Sequence, residues 1–225
     1  MQSILRDKAR LGIVVLVMLA IMLMQGGISY TMMIGELSSF VSEYRMLILN
    51  SMIALRLGVI ASLVALWILN FKRTLFIAVI ITNTLLTLGL MYQMNTLISV
   101  LLGSAVESAN ALIFDAGLMA MTNVLIFSIW YWIIDPPGVE DTTPTDKSWD
   151  FLFPQRGSSI PHYESWVPNY VDYLFVAFTN SIAFSPTDTL PLTKRSKILM
   201  MLQAAISVIT LTGIASSAIN LLAGR

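Results

Sequence analysis

Residues 169–222, NYVDYLFVAFTNSIAFSPTDTLPLTKRSKILMMLQAAISVITLTGIASSAINLL, decide the fold. The first apolar segment, Tyr170–Phe184, falls short of the roughly 20 residues that a helix needs to cross a bilayer. It runs into Ser185-Pro186-Thr187-Asp188-Thr189-Leu190-Pro191. Two prolines there remove backbone donors and polar side chains fill most other positions, so the run is neither helix interior nor central strand. A basic step, Lys194-Arg195-Ser196-Lys197, precedes an apolar helix from Ile198 to Leu222. Short helix, irregular polar segment and long helix, in that order, read as a re-entrant loop. Non-helical backbone persists at membrane depth only where protein or a water-filled cavity satisfies it. Two ordinary spans joined by a proline-rich turn are the alternative.

Composition sets the class. Of 225 residues, 56% are hydrophobic and 12% charged, with a formal net charge of zero; mean hydropathy is +0.78. Soluble domains carry about 25% charged residues, so the chain is expected to be an all-α, polytopic membrane helix bundle. The absence of cysteine excludes disulfides, thiolate metal sites and cysteine nucleophiles. A single histidine, His162, leaves no histidine cluster for a metal or a proton relay. Zero net charge without a long basic run argues against nucleic acid as a partner. No cofactor is expected.

From the N-terminus, Arg6, Lys8 and Arg10 lead into Leu11–Met24, which resembles a signal peptide. No small-residue cleavage site closes it and the apolar character continues to Ile34, so it reads as the first span with a cytoplasmic N-terminus. Gln25-Gly26-Gly27 marks close helix packing. In the segment 36–48, apolar and polar residues separate at helical spacing, as in an interfacial helix or a covering lid. Ser51–Asn70 is the second span, with Arg56 placed to snorkel toward headgroups, and Lys72-Arg73 a basic cytoplasmic turn. From Thr74 to Ser104 one long tilted helix is expected, despite the polar interruption Tyr92–Asn95; a kinked helix or a short re-entrant piece is the alternative. Glu107-Ser108-Ala109-Asn110 ends it. Ala111–Ile134 is the next span, closed by an aromatic girdle, Trp130-Tyr131-Trp132. It carries Asp115 and Asn123, candidate intramembrane polar residues together with Glu107, although Asp115 is also near enough to the start to be interfacial.

Residues 135–169 form the one substantial polar segment, rich in proline, acidic residues and aromatics. Its acidity suggests an outward-facing loop that packs back on the bundle and concentrates cations. Span counting disagrees: four crossings after a cytoplasmic N-terminus return this loop to the cytoplasm, where Lys194, Arg195 and Lys197 also belong. Five or six crossings both remain open.

From Phe175 onward the chain resembles the pore region of tetrameric potassium channels. In that family an outer helix leads to a pore helix, a T-V-G-Y-G-D filter, a following proline and an inner helix. Ala183-Phe184-Ser185-Pro186-Thr187 stands where T-V-G-Y-G would be, Asp188 matches the next Asp, Pro191 the proline and Ile198–Leu222 the inner helix. The run from Thr179-Asn180 to Leu192 is similar to that of channel-related bacterial membrane proteins sharing a TNxxAFSPTDTxPL-like motif. The resemblance implies two parts: residues 1–110 as N-terminal membrane helices, and residues 111–225 as a channel-like module. The module comprises outer helix 111–134, acidic loop 135–169, pore-like helix and loop 170–192 and inner helix 197–222. It also implies a bacterial inner membrane location, a homotetramer, and monovalent cations as partners besides the lipid bilayer.

The match departs at the filter. Both filter glycines are missing, and the φ of Pro186 is fixed near −65°. A potassium-selective carbonyl filter is therefore not expected. Hydroxyls of Thr179, Ser181, Ser185 and Thr187, with Phe184 and Pro186 shaping the loop and Asp188 at its mouth, would line a less selective pore. A non-conducting scaffold is the plain alternative. A small-solute transporter working through Asp115, Glu107 and Asn123 is the second functional class. Without a histidine pair, cysteine or glycine-rich phosphate loop, the chain is not expected to be an enzyme.

Overall fold

The computed structural model describes residues 2–36, 45–102, 109–135, 149–157, 166–185 and 188–222. The long helices are α1 (Gln2–Glu36), α2 (Arg45–Ile68), α3 (Lys72–Leu102), α4 (Ala109–Ile134) and α7 (Lys194–Leu222). Between α4 and α7 lie strand β1 (Phe151–Leu152), the single turn α5 (Pro154–Gly157), the short helix α6 (Tyr170–Ala183) and strand β2 (Leu190–Pro191). Five helices are long and apolar enough to cross a membrane: α1 to α4 and α7. The fold is an all-α bundle, as the apolar runs predict.

Neighbouring spans alternate in direction. Gly12 and Gly26 of α1 meet Trp67 and Arg56 of α2, Asn83 of α3 meets Ile126 of α4, and Ile134 of α4 meets Arg195 at the start of α7. The start of α1, the α2–α3 turn, the end of α4 and the start of α7 therefore share one face of the bundle. That turn closes on Asn70, whose φ of 62° is a conformation asparagine adopts more readily than most residues. This charged face holds Arg10, Lys72, Arg73, Arg156, Lys194, Arg195 and Lys197.

Several expectations change in this setting. Among the described residues of the acidic segment, Asp135 and Asp150 sit on the same face as the basic turns, each paired with an arginine. One expectation holds: the polar interruption Tyr92–Asn95 leaves α3 unbroken, and buried Gln93 turns inward and donates to the Gln25 carbonyl of α1 at 3.4 Å. Trp130-Tyr131-Trp132 is no girdle. Tyr131 is wholly buried, Trp130 donates its Nε1–H to Thr87 Oγ1 at 2.9 Å, and Trp132 packs edge-on against Phe76. Most of the expected interfacial helix 36–48 lies outside the described residues; its last positions, from Arg45, belong to α2.

The helix α2 stands apart. Little of its span is buried, and it rests on α1 at two glycines about four turns apart, as the Gly-rich sequence suggested. A Cβ at Gly12 would lie 3.1 Å from the Trp67 indole, and one at Gly26 would lie 2.6 Å from Arg56 Nη1. Arg56 thus reaches toward α1 instead of simply snorkelling outward. The two notches differ in rigidity, since an indole is stiff and a guanidinium tip can swing aside. Gly12→Leu is expected to lower stability by about 1–3 kcal/mol through overpacking, and Gly26→Ala by less than about 1 kcal/mol. Thermal unfolding in mild detergent checks this; equal midpoints for the two variants would refute the glycine-notch account.

Candidate functional site

The site is built where α4, α6 and α7 meet. Asn169 caps α6: its Oδ1 accepts from Val171 N at 2.8 Å, and Asp172 Oδ2 accepts from Asn169 N at 2.6 Å. This capping box also puts a carboxylate at the positive end of the helix. The helix stops at Phe184, which takes a left-handed conformation (φ 53°). Pro186 follows, and a proline disfavours helical angles in the residue before it, here Ser185.

The helices α6 and α7 run parallel where they touch. Gln203 Nε2 donates to the Ala177 carbonyl at 2.8 Å, and four residues further along both helices Ser181 Oγ meets Ser207 Oγ at 2.7 Å. To begin α7 at Lys194 the chain must therefore come back the way it went in. It does so through the segment that ends in β2, which pairs antiparallel with β1 (Phe151↔Pro191, Leu152↔Leu190). Entry and exit lie on the charged face, so α6 and its return arm are re-entrant. Ser207 is 13 residues into α7, which at 1.5 Å per residue puts the end of α6 about 20 Å along that helix.

Carboxamides hold α6 in place. Asn180 Nδ2 donates to the Met200 carbonyl at 3.0 Å and to Gln203 Oε1 at 2.8 Å. Gln203 Oε1 also accepts from the Tyr131 hydroxyl at 2.5 Å. Asn123 Nδ2 donates to the Gln203 carbonyl at 3.3 Å and to Ser207 Oγ at 2.8 Å. Nearer the charged face, the Ser128 and Tyr170 hydroxyls share a hydrogen bond at 2.5 Å.

Above this cluster residues 149–157 form a compact cap. Asp135 Oδ1 accepts the main-chain N–H of Asp150 (2.8 Å) and Phe151 (3.1 Å), and its Oδ2 accepts from the Tyr173 hydroxyl (2.7 Å) and pairs with Arg156 Nη1 (2.8 Å). Burial pushes the Asp135 carboxyl above its ordinary range, and Arg156, then the hydrogen-bond donors, pull it back. The Arg156 guanidinium also lies over the Trp149 ring, 5.1 Å from its centroid. Asp150 takes a bidentate grip from Arg195, through Nε (2.6 Å) and Nη2, and a further hydrogen bond from Thr193 Oγ1. An aromatic chain, Tyr131, Phe151, Phe153 and Tyr173, fills the space beneath.

The residues singled out in the sequence divide. Ser181 turns inward and, through Ser207, meets Asn123. Thr179 Oγ1 bonds back to the carbonyls of Phe175 (2.9 Å) and Val176 (3.1 Å) on its own helix. Phe184, Ser185 and Asp188 are exposed on the outside of the chain. Asp115 is fully buried in α4. Pro186, Thr187 and Glu107 lie outside the described residues. The clustered residues Tyr131, Asn180, Gln203 and Ser207 were not among the site candidates read from the sequence; for Asn180 and Gln203 the available signal is a carboxamide among apolar residues of a helix.

With five apolar spans around a buried polar seam, the chain is a multi-pass integral membrane protein. Comparison with known protein families, curated proteins and solved structures gives no match in any of the three.

Gln203 is the hub, so Gln203→Leu is expected to cost about 2–4 kcal/mol, the sum of one lost donor, two lost acceptor bonds and the orphaned partners. Thr179→Ala, which loses only bonds within its own helix, should stay within about 0.5 kcal/mol. Thermal unfolding in detergent distinguishes them, and comparable losses for both would disprove the hub.

Proposed function

We propose that this chain is the subunit of a homo-oligomeric, weakly selective cation pore, with the α6 re-entrant segment lining a symmetry axis. The observation that carries this reading is the exposed end of a short helix that runs alongside α7. Ile182, Ala183, Phe184 and Ser185 are exposed in the single chain, at the end of a helix that reaches about 20 Å along α7. Lipid cannot satisfy the carbonyls that a helix end leaves open, whereas water or neighbouring protein can. The adjoining face of α7 supports the same arrangement. Ile198, Met201, Ala205, Val208, Thr212 and Ala215 are exposed at alternating spacings of three and four residues, the seam along which helices pack closely, with small side chains included. One re-entrant segment per chain needs several copies around the axis, and four follows from the resemblance to tetrameric channels.

Asp188, exposed beside the return arm, is the residue that attracts cations to the mouth. By the positive-inside rule the charged face is cytoplasmic, in a bacterial inner membrane by the same resemblance. A non-conducting scaffold is the second reading. It is favoured by Ser181, which spends its hydroxyl on Ser207 instead of facing an axis.

Purified protein in liposomes under potassium, sodium and proton gradients, with its mass measured in nanodiscs, tests the proposal. Cation flux from an oligomer is expected, and Asp188→Asn should reduce it several-fold at low ionic strength and less near 0.15 M salt, where charges more than about 8 Å apart are screened. A monodisperse monomer, or flux at the empty-liposome level under every gradient, would refute the pore.

A further inference from the structure

We infer that residues 149–157 are a strap which latches the return arm of the re-entrant segment, with Arg195 as the catch and Asp135 as the hinge. This concerns regulation of the site proposed above, and only its effect on flux rests on that reading.

The strap has two attachments of unequal strength. At the α4 end, buried Asp135 gathers two main-chain N–H groups of the strap, the Tyr173 hydroxyl and Arg156. Every group in that attachment travels with α4, α6 or the strap itself. At the α7 end, the strap meets the return arm through a two-residue ladder, one hydrogen bond from Leu192 N to the Asp150 carbonyl (2.9 Å), and the Asp150 contacts with Arg195 and Thr193. Solvent reaches this second attachment: the Arg195 side chain is 58% exposed although its Asp150 partner is 0% exposed. An ion pair open to water on one side is weakly held, and so short a ladder adds little. Local opening takes the contacts with fewest buried bonds first, so the strap parts from the return arm and stays on Asp135.

Opening has a defined consequence. Phe151 packs edge-on against Tyr131, 5.1 Å between centroids, and the Tyr131 hydroxyl bonds the Gln203 hub. Parting at the ladder leaves Phe151 over that tyrosine, held by its N–H bond to Asp135, and releases the arm carrying Asp188 and Leu190. A closed strap holds the arm; an open one frees it. The gate is thus placed at the charged mouth.

The test locks the ladder. Leu152 and Leu190 are Cα partners, and antiparallel partners lie about 4.5–5.5 Å apart, within disulfide reach. The chain has no cysteine, so Leu152→Cys with Leu190→Cys in the full-length protein can form a single intramolecular bridge. Amide exchange of peptides covering 184–193, read by mass spectrometry in liposomes, should slow at least tenfold on oxidation and recover on reduction. Arg195→Gln should quicken exchange at Leu192 at least tenfold, and Arg195→Lys, which keeps the charge but loses the fork, should fall between. Potassium flux in the same liposomes should drop on oxidation and return with reductant. Exchange that responds without flux in any sample supports the strap and refutes the pore. Flux that persists with exchange unmoved by a fully formed bridge refutes the strap and leaves the pore standing. Should Arg195→Gln fail to fold, the bridged protein alone decides.

Discussion

Six buried carboxamides hold the bundle together, and each donates to a main-chain carbonyl of another helix. Gln25 of α1 reaches Leu86 of α3, and Gln93 of α3 reaches back to Gln25. Asn83 of α3 takes Ile126 of α4, and Asn123 of α4 takes Gln203 of α7. Asn180 of α6 takes Met200 of α7, and Gln203 of α7 takes Ala177 of α6. Lipid tails are as apolar as leucine, so burial of apolar surface does not drive helices together inside a bilayer. Directional bonds and close packing must do it instead. Each bond is worth about 0.6 kcal/mol on average, yet an unmet carboxamide would cost more than that in hydrocarbon. The bonds therefore select register more than they add stability. The helix α2 has none of these stitches among the described residues and rests on α1 through glycine notches, which is why so little of it is buried.

The same logic explains the acidic segment. Counted as free charge, Asp135 and Asp150 point away from a basic face. Counted as partners, they belong on it, because Arg156 and Arg195 need carboxylates where α4 ends and α7 begins. Asp135 and Arg156 are both buried, so Asp135 without its arginine would leave an uncompensated charge, a loss of about 3–5 kcal/mol. The pairs tie together segments far apart in sequence and so fix where the return arm ends.

How much of this the sequence carries varies with the physics of each element. The spans are legible because about 20 apolar residues have few other uses, and the re-entrant turn because prolines forbid continuing the helix. Continuity of α3 through Tyr92–Asn95 also follows, since none of those residues breaks a helix. The girdle was misread, and charge counting left the loop's side open, for a shared reason: interfacial statistics and charge counts treat side chains as facing solvent or lipid, while Tyr131, Asp135 and Asp150 face protein. The hub was hidden more deeply. A carboxamide bonding a carbonyl leaves no mark on the partner's side chain, so Asn180 carries no sequence trace of Met200, nor Gln203 of Ala177.

Re-entrance depends on that hidden layer. A helix as short as α6 leaves its last carbonyls without partners in the helix, it ends where Ile182 to Ser185 are exposed, and at Phe184 it adopts a left-handed conformation that costs an aromatic residue about 1 kcal/mol or more. Pro186 stops the helix here but does not hold its end in place. What offsets the cost is lateral: Asn180 and Ser181 bind α7, Tyr170 and Tyr173 bind Ser128 and Asp135, and the capping box fixes the entry. With both ends of α6 pinned from the side, the chain beyond Ala183 has one exit, back along α7 to the strap. The exposed tip at Phe184 and Ser185 is then the residue of a packing problem solved everywhere else in the chain, and it is where a neighbouring copy or water has to finish the work.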